Sequence, residues 1–145
     1  MAKEVLSRDN IQLNAVLNTQ EEAIRQAGGI LVDNGYVEPS YVDKMLEREE
    51  VTSTYMGNYV AIPHGTEDAK TAVLETGISV VTVPDGVEFG DANTVKVLIG
   101  IAGKGDEHLE ILSKIALVCS EEENISRIVE AESKEEIIRL FDEVN

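Results

Sequence analysis

Apolar and polar residues change their period several times along this chain, and each change marks an element. Ala23, Ile24, Ala27, Ile30 and Leu31 recur at helical spacing, which predicts a helix over about 20–34. Thr19 followed by Glu22 has the form of a capping box at its start, and Gly35 is a suitable stop. The internal Gly28-Gly29 pair either weakens this helix or lets a neighbour pack closely against it. Pro39 suits the first turn of a second helix over about 39–50, with Val42, Met45 and Leu46 as its apolar stripe.

Elsewhere the period shortens to two. Ile11-Gln12-Leu13 is a short candidate strand. Val51 to Thr54 leads into a hairpin over Thr54–Ile62, for which Gly57-Asn58 is the expected two-residue turn. Thr66 to Lys70 is polar and reads as loop. Thr76 to Val83 alternates and is rich in β-branched residues, as a strand should be, and Pro84-Asp85-Gly86 is expected to end it in a turn. In the next strand Val95, Val97, Ile99 and Ile101 alternate with Lys96, Leu98 and Gly100. Both of its faces are mostly apolar, which places it centrally with helices above and below.

Three helices follow. The first, about 106–119, carries Leu109, Ile111, Leu112, Ile115, Ala116, Leu117, Val118 and Cys119, and is expected to be largely buried. The second spans Glu121 to Ala131 with Ile125, Ile128 and Val129. The last starts at a capping box of Ser133 and Glu136 and sends Ile137, Ile138, Leu140, Phe141 and Val144 to the core. The mixture of strands and helices is an α/β pattern, and the hairpin makes the sheet mixed rather than purely parallel.

Composition narrows the function. At 145 residues, 1–145 reads as a single domain, and no apolar run approaches the ~20 residues of a membrane span. The start of the chain lacks the apolar segment of a secretory signal, and Cys119 is its single cysteine. These features favour a cytoplasmic protein without direct membrane insertion. The net charge of −16 argues against nucleic-acid binding, which needs clustered Lys and Arg. It suits a basic protein partner, or serves solubility alone.

Three groups stand out as candidate chemistry. His64 lies between Pro63 and Gly65 at the end of the hairpin. Pro63 has no N–H, so strand pairing should not continue through it. Gly65 leaves room for a close approach of a ligand or protein. His64 is therefore either an accessible imidazole or a satisfied structural one. Arg48, in the last turn of its helix, either complements the helix dipole or carries a guanidinium toward the His64 loop. His108 shares a face with Ile111, Leu112 and Ile115, so it is either packed or part of a site. The two histidines have no recognised metal-ligand spacing, and there is no P-loop, Rossmann glycine pattern or G-x-S-x-G elbow.

Phosphoryl transfer through a histidine asks for little more than these groups. A neutral imidazole is nucleophilic near pH 7, and a planar guanidinium such as that of Arg48 stabilises charged phosphoryl oxygens. Ser53, Thr54 and backbone N–H groups from Gly65 onward are candidate neutral donors.

Gly57-Asn58-Tyr59-Val60-Ala61-Ile62-Pro63-His64-Gly65 resembles the active-site motif of the mannitol/fructose-type enzyme IIA components of the bacterial phosphotransferase system. The motif is matched throughout, and the flavour Asn58 to Thr66 looks most like the mannitol branch. Arg48-Glu49 before the motif and Asp106-Glu107-His108-Leu109 after it extend the resemblance over the chain. The resemblance implies a five-stranded mixed sheet flanked by helices. It implies that His64 accepts a phosphoryl group from the phosphohistidine of the carrier HPr and passes it to a cysteine of the cognate IIB domain, here that of the mannitol permease. His108 and Arg48 map onto the family's second active-site histidine and its arginine, and no metal or nucleotide cofactor is implied. Nitrogen-type IIA proteins look similar around Pro-His, so a regulatory phosphoprotein is the alternative; a fructose-type component and a binding domain without chemistry are further ones.

Overall fold

Two long strands form the centre of the sheet, β4 (Gly77–Phe89) and β5 (Asn93–Ala102), paired antiparallel. The computed structural model describes residues 4–90 and 93–143. Alternate side chains of both strands leave by opposite faces, and each face is apolar. Val81, Val83, Leu98 and Ala102 meet helices α1 (Gln20–Asp33) and α2 (Ser40–Val51) on one side. Val80, Val97, Ile99 and Ile101 meet α3 (Glu107–Cys119), α4 (Glu122–Val129) and α5 (Lys134–Asp142) on the other. Burial on both faces accounts for the near-continuous apolar runs in these strands.

Three short strands complete the sheet: β1 (Ile11–Gln12), β2 (Tyr55–Gly57) and β3 (Val60–Ala61). The order is β1-β4-β5-β3-β2, with β1 parallel to β4, β3 parallel to β5 and β2 antiparallel to β3. This is the five-stranded mixed sheet, with helices on both faces, that the resemblance implied. Helix α1 begins as its sequence indicated: Thr19 Oγ1 accepts the Glu22 amide at 3.1 Å. Gly28 is there for close packing, since a Cβ would stand 2.8 Å from Met45 Sδ.

Four local expectations are corrected. Pro84-Asp85-Gly86 does not end a strand but bulges within one. The ladder passes from Thr82↔Val97 to Val87↔Val95, so four residues of β4 (83 to 86) lie opposite one of β5 (Lys96). Proline cannot donate to a ladder and Gly86 sits at φ 82°, so the chemistry of a turn serves equally for a bulge. The hairpin turn is Asn58-Tyr59, not Gly57-Asn58; both residues have positive φ, 51° and 68°, as a type I′ turn requires. Helix α3 is buried along one stripe only, through Ile111, Ile115, Val118 and Cys119, while Leu109 and Leu117 are exposed. Ser133 precedes α5 without a side-chain cap bond; Glu136 instead accepts the Glu132 amide at 2.9 Å. Val144 lies outside the described residues.

Candidate active site

Strand β3 leads through Ile62 and Pro63 to His64, beside the central strand β5. On the β2 side its pairing ends as Ile62 N–H donates to Thr54 O at 3.1 Å. On the β5 side it runs past the proline. Pro63 O accepts the Ile101 amide at 2.9 Å, and His64 forms a parallel bridge with Ile101. Pairing therefore does continue through Pro63, because a carbonyl is all that edge of the residue has to offer β5. The histidine is held by the sheet.

Its ring is oriented from two residues back. Nδ1 lies 2.8 Å from Ile62 O, and a carbonyl can only accept, so Nδ1 carries the proton and Nε2 keeps its lone pair. The pKa of His64 is lowered. Burial is the main cause, the Ile62 carbonyl acts against it, Arg48 pushes it further down and Glu49 pushes it back. The neutral, nucleophilic ring is the form favoured near pH 7.

The residue after it is locked as well. Gly65 N–H donates to Tyr41 Oη at 2.9 Å, and Tyr41 donates in turn to Ile101 O at 2.8 Å. A Cβ on Gly65 would stand 2.6 Å from Tyr41 Cε1, so the space glycine leaves open is filled by this ring. Burial raises the Tyr41 pKa despite the Gly65 contact, which keeps its hydroxyl protonated as a donor. The Gly65 amide is thus engaged inside the protein rather than offered to a phosphate.

A cleft of about 360 Å³ opens beside His64, and Arg48, Lys70, Gly103, His108 and Leu109 are among the residues around it. Arg48 reaches it from the end of α2, where one Nη1 donates to Thr52 O at 2.8 Å. Both readings of this arginine hold together: it satisfies a helix-end carbonyl and puts its charge beside His64. His108 comes from the first turn of α3, its ring centroid 5.4 Å from that of His64 at 60°. Gly103 makes this approach possible, because a Cβ there would lie 2.5 Å from His108 Cα. The His108 pKa is lowered by burial, then by the His64 and Lys70 charges.

Three proposed donors are not presented to the cleft. Thr54 is buried, its N–H and Oγ1 donating to the Glu49 carboxylate at 2.9 and 2.6 Å. Ser53 Oγ accepts the Tyr55 amide at 3.1 Å and, like Thr54, is not among the residues lining the cleft. Gly65 is held by Tyr41. Glu49 also accepts from Gln20 Nε2 at 2.9 Å, so this buried carboxylate pins the strand entering the hairpin to α1 and α2.

Sequence reasoning passed over Tyr41 and Lys70. A signal for Tyr41 was present: residues 41, 45 and 49 lie four apart, and all three are buried on one face of α2. Lys70 belongs to a 3-10 turn, Glu67–Ala72, in a segment read as loop. Cys119 is buried, which pushes its thiol up to about 12, and takes no part. Among the described residues no three His, Cys, Asp or Glu side chains gather as metal ligands, and no helix is long and apolar enough to cross a membrane.

Comparison with known proteins puts this geometry in context. Residues 4–144 match the family described as phosphoenolpyruvate-dependent sugar phosphotransferase system, EIIA 2. The mannitol-specific phosphotransferase enzyme IIA component of Geobacillus stearothermophilus is 61% identical over 145 residues, covering 100% of both chains. That of Bacillus subtilis (strain 168) is 58% identical over 142 residues, covering 98% of this chain and 99% of the relative. The crystal structure of IIA mannitol from Escherichia coli matches with a TM-score of 0.87 at 41% identity, covering 94% of this chain and 98% of that one. A chain of the Escherichia coli complex of enzyme IIAMTL with phosphorylated enzyme IIBMTL matches with a TM-score of 0.89 at 40% identity, covering 95% and 97%. With nearly its whole length matched and more than half its residues shared with curated relatives, the chain belongs to the EIIA 2 family of the sugar phosphotransferase system.

Proposed function

We propose that this protein is a phosphoryl carrier of a mannitol phosphotransferase system, with Nε2 of His64 as the carrying atom. The observation that bears most on this is the 2.8 Å contact between His64 Nδ1 and Ile62 O, which leaves Nε2 as the nucleophilic nitrogen of a ring fixed in the sheet. The donor in this reading is the phosphohistidine of HPr. The acceptor is a cysteine of the IIB domain of the mannitol permease, a choice supported by the matching complex with phosphorylated enzyme IIBMTL. Mannitol as the transported sugar is supported by the names of the relatives. A cytoplasmic location goes with these partners.

The transfer is an in-line exchange between two rings. The Nε2 lone pair forms the new N–P bond while the donor's P–N bond breaks and its electron pair returns to the donor nitrogen. Each ring keeps the proton on its other nitrogen, so charge and protons balance; on His64 the retained Nδ1 proton stays in its hydrogen bond to Ile62 O. The phosphoryl oxygens are met by the Arg48 guanidinium, a charge-stabilising group of the kind such transition states need. His108, held neutral, serves as an N–H donor rather than as a cation. Onward transfer repeats the exchange with a thiolate as nucleophile.

His64→Ala tests the reading directly. Incubated with phosphorylated HPr, the variant should fold and take up no label, while the unaltered chain is labelled and passes the label to a mannitol IIB domain. Label recovered on the folded variant would overturn the assignment. The nitrogen-type regulatory alternative has only a likeness of fold: the Nitrogen Regulatory Protein IIA-Ntr of Neisseria meningitidis matches at 24% identity, with a TM-score of 0.81. Delivery of label to the IIB cysteine separates the two.

A further inference from the structure

The chain carries 28 acidic side chains against 12 basic ones, yet two of the basic ones, Arg48 and Lys70, meet at the histidine cleft. Lys70 is exposed and stands in the 3-10 turn that follows Gly65-Thr66, so the segment that fixes His64 also places this lysine. Lys44 on α2, by contrast, is held by Glu47 at 3.3 Å and by Asp68 at 3.4 Å. Lys70 has no ion pair among the described residues, although Glu67 and Asp106 border the same cleft. An ammonium group left unpaired at an otherwise acidic surface is available for a dianionic ligand.

A phosphoryl group on His64 is such a ligand. Phosphoryl groups carry close to two negative charges near neutral pH and offer three acceptor oxygens. Arg48 already spends one donor on Thr52 O. His108 is kept neutral by burial and by the positive charges facing it, Lys70 among them, so it contributes no full charge. One guanidinium therefore leaves the dianion only partly compensated.

We propose that Lys70 is the second cation of this site, its ammonium contacting the oxygens of the phosphoryl group carried by His64 together with Arg48. The inference rests on His64 being the phosphorylated residue. Lys70 acts on the carried group itself, which distinguishes it from a lysine that only helps a protein partner to dock. A secondary consequence falls on His108, which faces His64, Lys70, Arg48 and Glu67 across the cleft and Asp106 from the start of its own helix.

The test compares the unaltered chain with Lys70→Met and Lys70→Arg, each phosphorylated by excess phosphorylated HPr. The phosphoryl group is titrated by phosphorus NMR, and the rate of label uptake is measured. A contacting cation favours the dianion, so Lys70→Met should raise the phosphoryl pKa and slow uptake about tenfold, the scale of one charge-assisted hydrogen bond. Lys70→Arg should restore most of both. An unchanged phosphoryl titration in Lys70→Met overturns the proposal even if uptake slows, because the lysine then serves docking alone. An unaltered chain that shows no phosphohistidine signal at all overturns the carrier reading and, with it, this inference.

Discussion

The Tyr41 hydroxyl takes the Gly65 amide at 2.9 Å and hands its own proton to the Ile101 carbonyl at 2.8 Å, so one side chain of α2 ties the loop after the active histidine to the central strand. Phenylalanine preserves the ring that fills the space over Gly65 and removes only this double link. Tyr41→Phe leaves the half-buried Gly65 N–H and the buried Ile101 C=O without this partner, which should cost about 1–3 kcal/mol. Urea denaturation at constant m-value reads that loss. Label uptake should fall as well, since His64 is adjacent to the freed amide.

Arg48→Ala and His108→Ala should each lower transfer from phosphorylated HPr without abolishing it. Arg48→Ala removes a charge beside the nucleophile, and removing such a stabilising donor typically costs on the order of 10²-fold in rate. His108→Ala removes a neutral donor and should cost less, about tenfold. Single-turnover labelling measures both, and wild-type rates in either variant would leave that residue a purely structural role.

The lowered pKa values of His64 and His108 give a pH dependence with a definite sign. In the unfolded chain both rings protonate near ~6.5, whereas in the folded chain they hold out to lower pH. As pH falls below ~6.5 the unfolded state binds protons first, so stability declines, and the decline from these groups stops once the pH is below the folded pKa values. Urea melts at about pH 7.5 and about pH 5.5 should show this loss, and it should shrink in His64→Gln. In the same range label uptake should persist where a fully exposed imidazole is mostly charged and inert.

A buried carboxylate offers the sharpest stability test. Glu49 takes hydrogen bonds from Thr54 N, Thr54 Oγ1 and Gln20 Nε2. Glu49→Ala strands those donors around a cavity, and about 3 kcal/mol is expected by the scale for breaking a buried charged network. Thermal unfolding followed by circular dichroism checks it.

Much of this was legible from residue order because the physics was local. The alternation of Val95, Val97, Ile99 and Ile101 marked the central strand, and Thr19 with Glu22 marked the start of a helix. The His64 motif was read from adjacent residues as well. What escaped depended on distant partners. Pro84-Asp85-Gly86 carries the same chemistry for a bulge as for a turn, and only the pairing with Val95 decides between them. The turn lies one residue further on because Gly57, although it takes a positive φ as expected, is paired with Val60, which leaves Asn58 and Tyr59 as the two turn residues. Thr54 looked like a free donor until Glu49 folded back onto it, and Tyr41 acquires its role only through Gly65, 24 residues away. Lys70 drew no notice because an isolated lysine in a polar segment has no pattern.

Gly103 bears on how such a site tolerates change. The first turn of α3 rests on its bare backbone, closer than any side chain would permit. The spacing between the two imidazoles is therefore gauged by main chain against main chain. Substitutions in the apolar layers beneath, which shift side chains by fractions of an ångström, leave that gauge untouched. The core can drift in composition while the two rings keep their distance, and a single added methyl at position 103 would undo what many core changes would not.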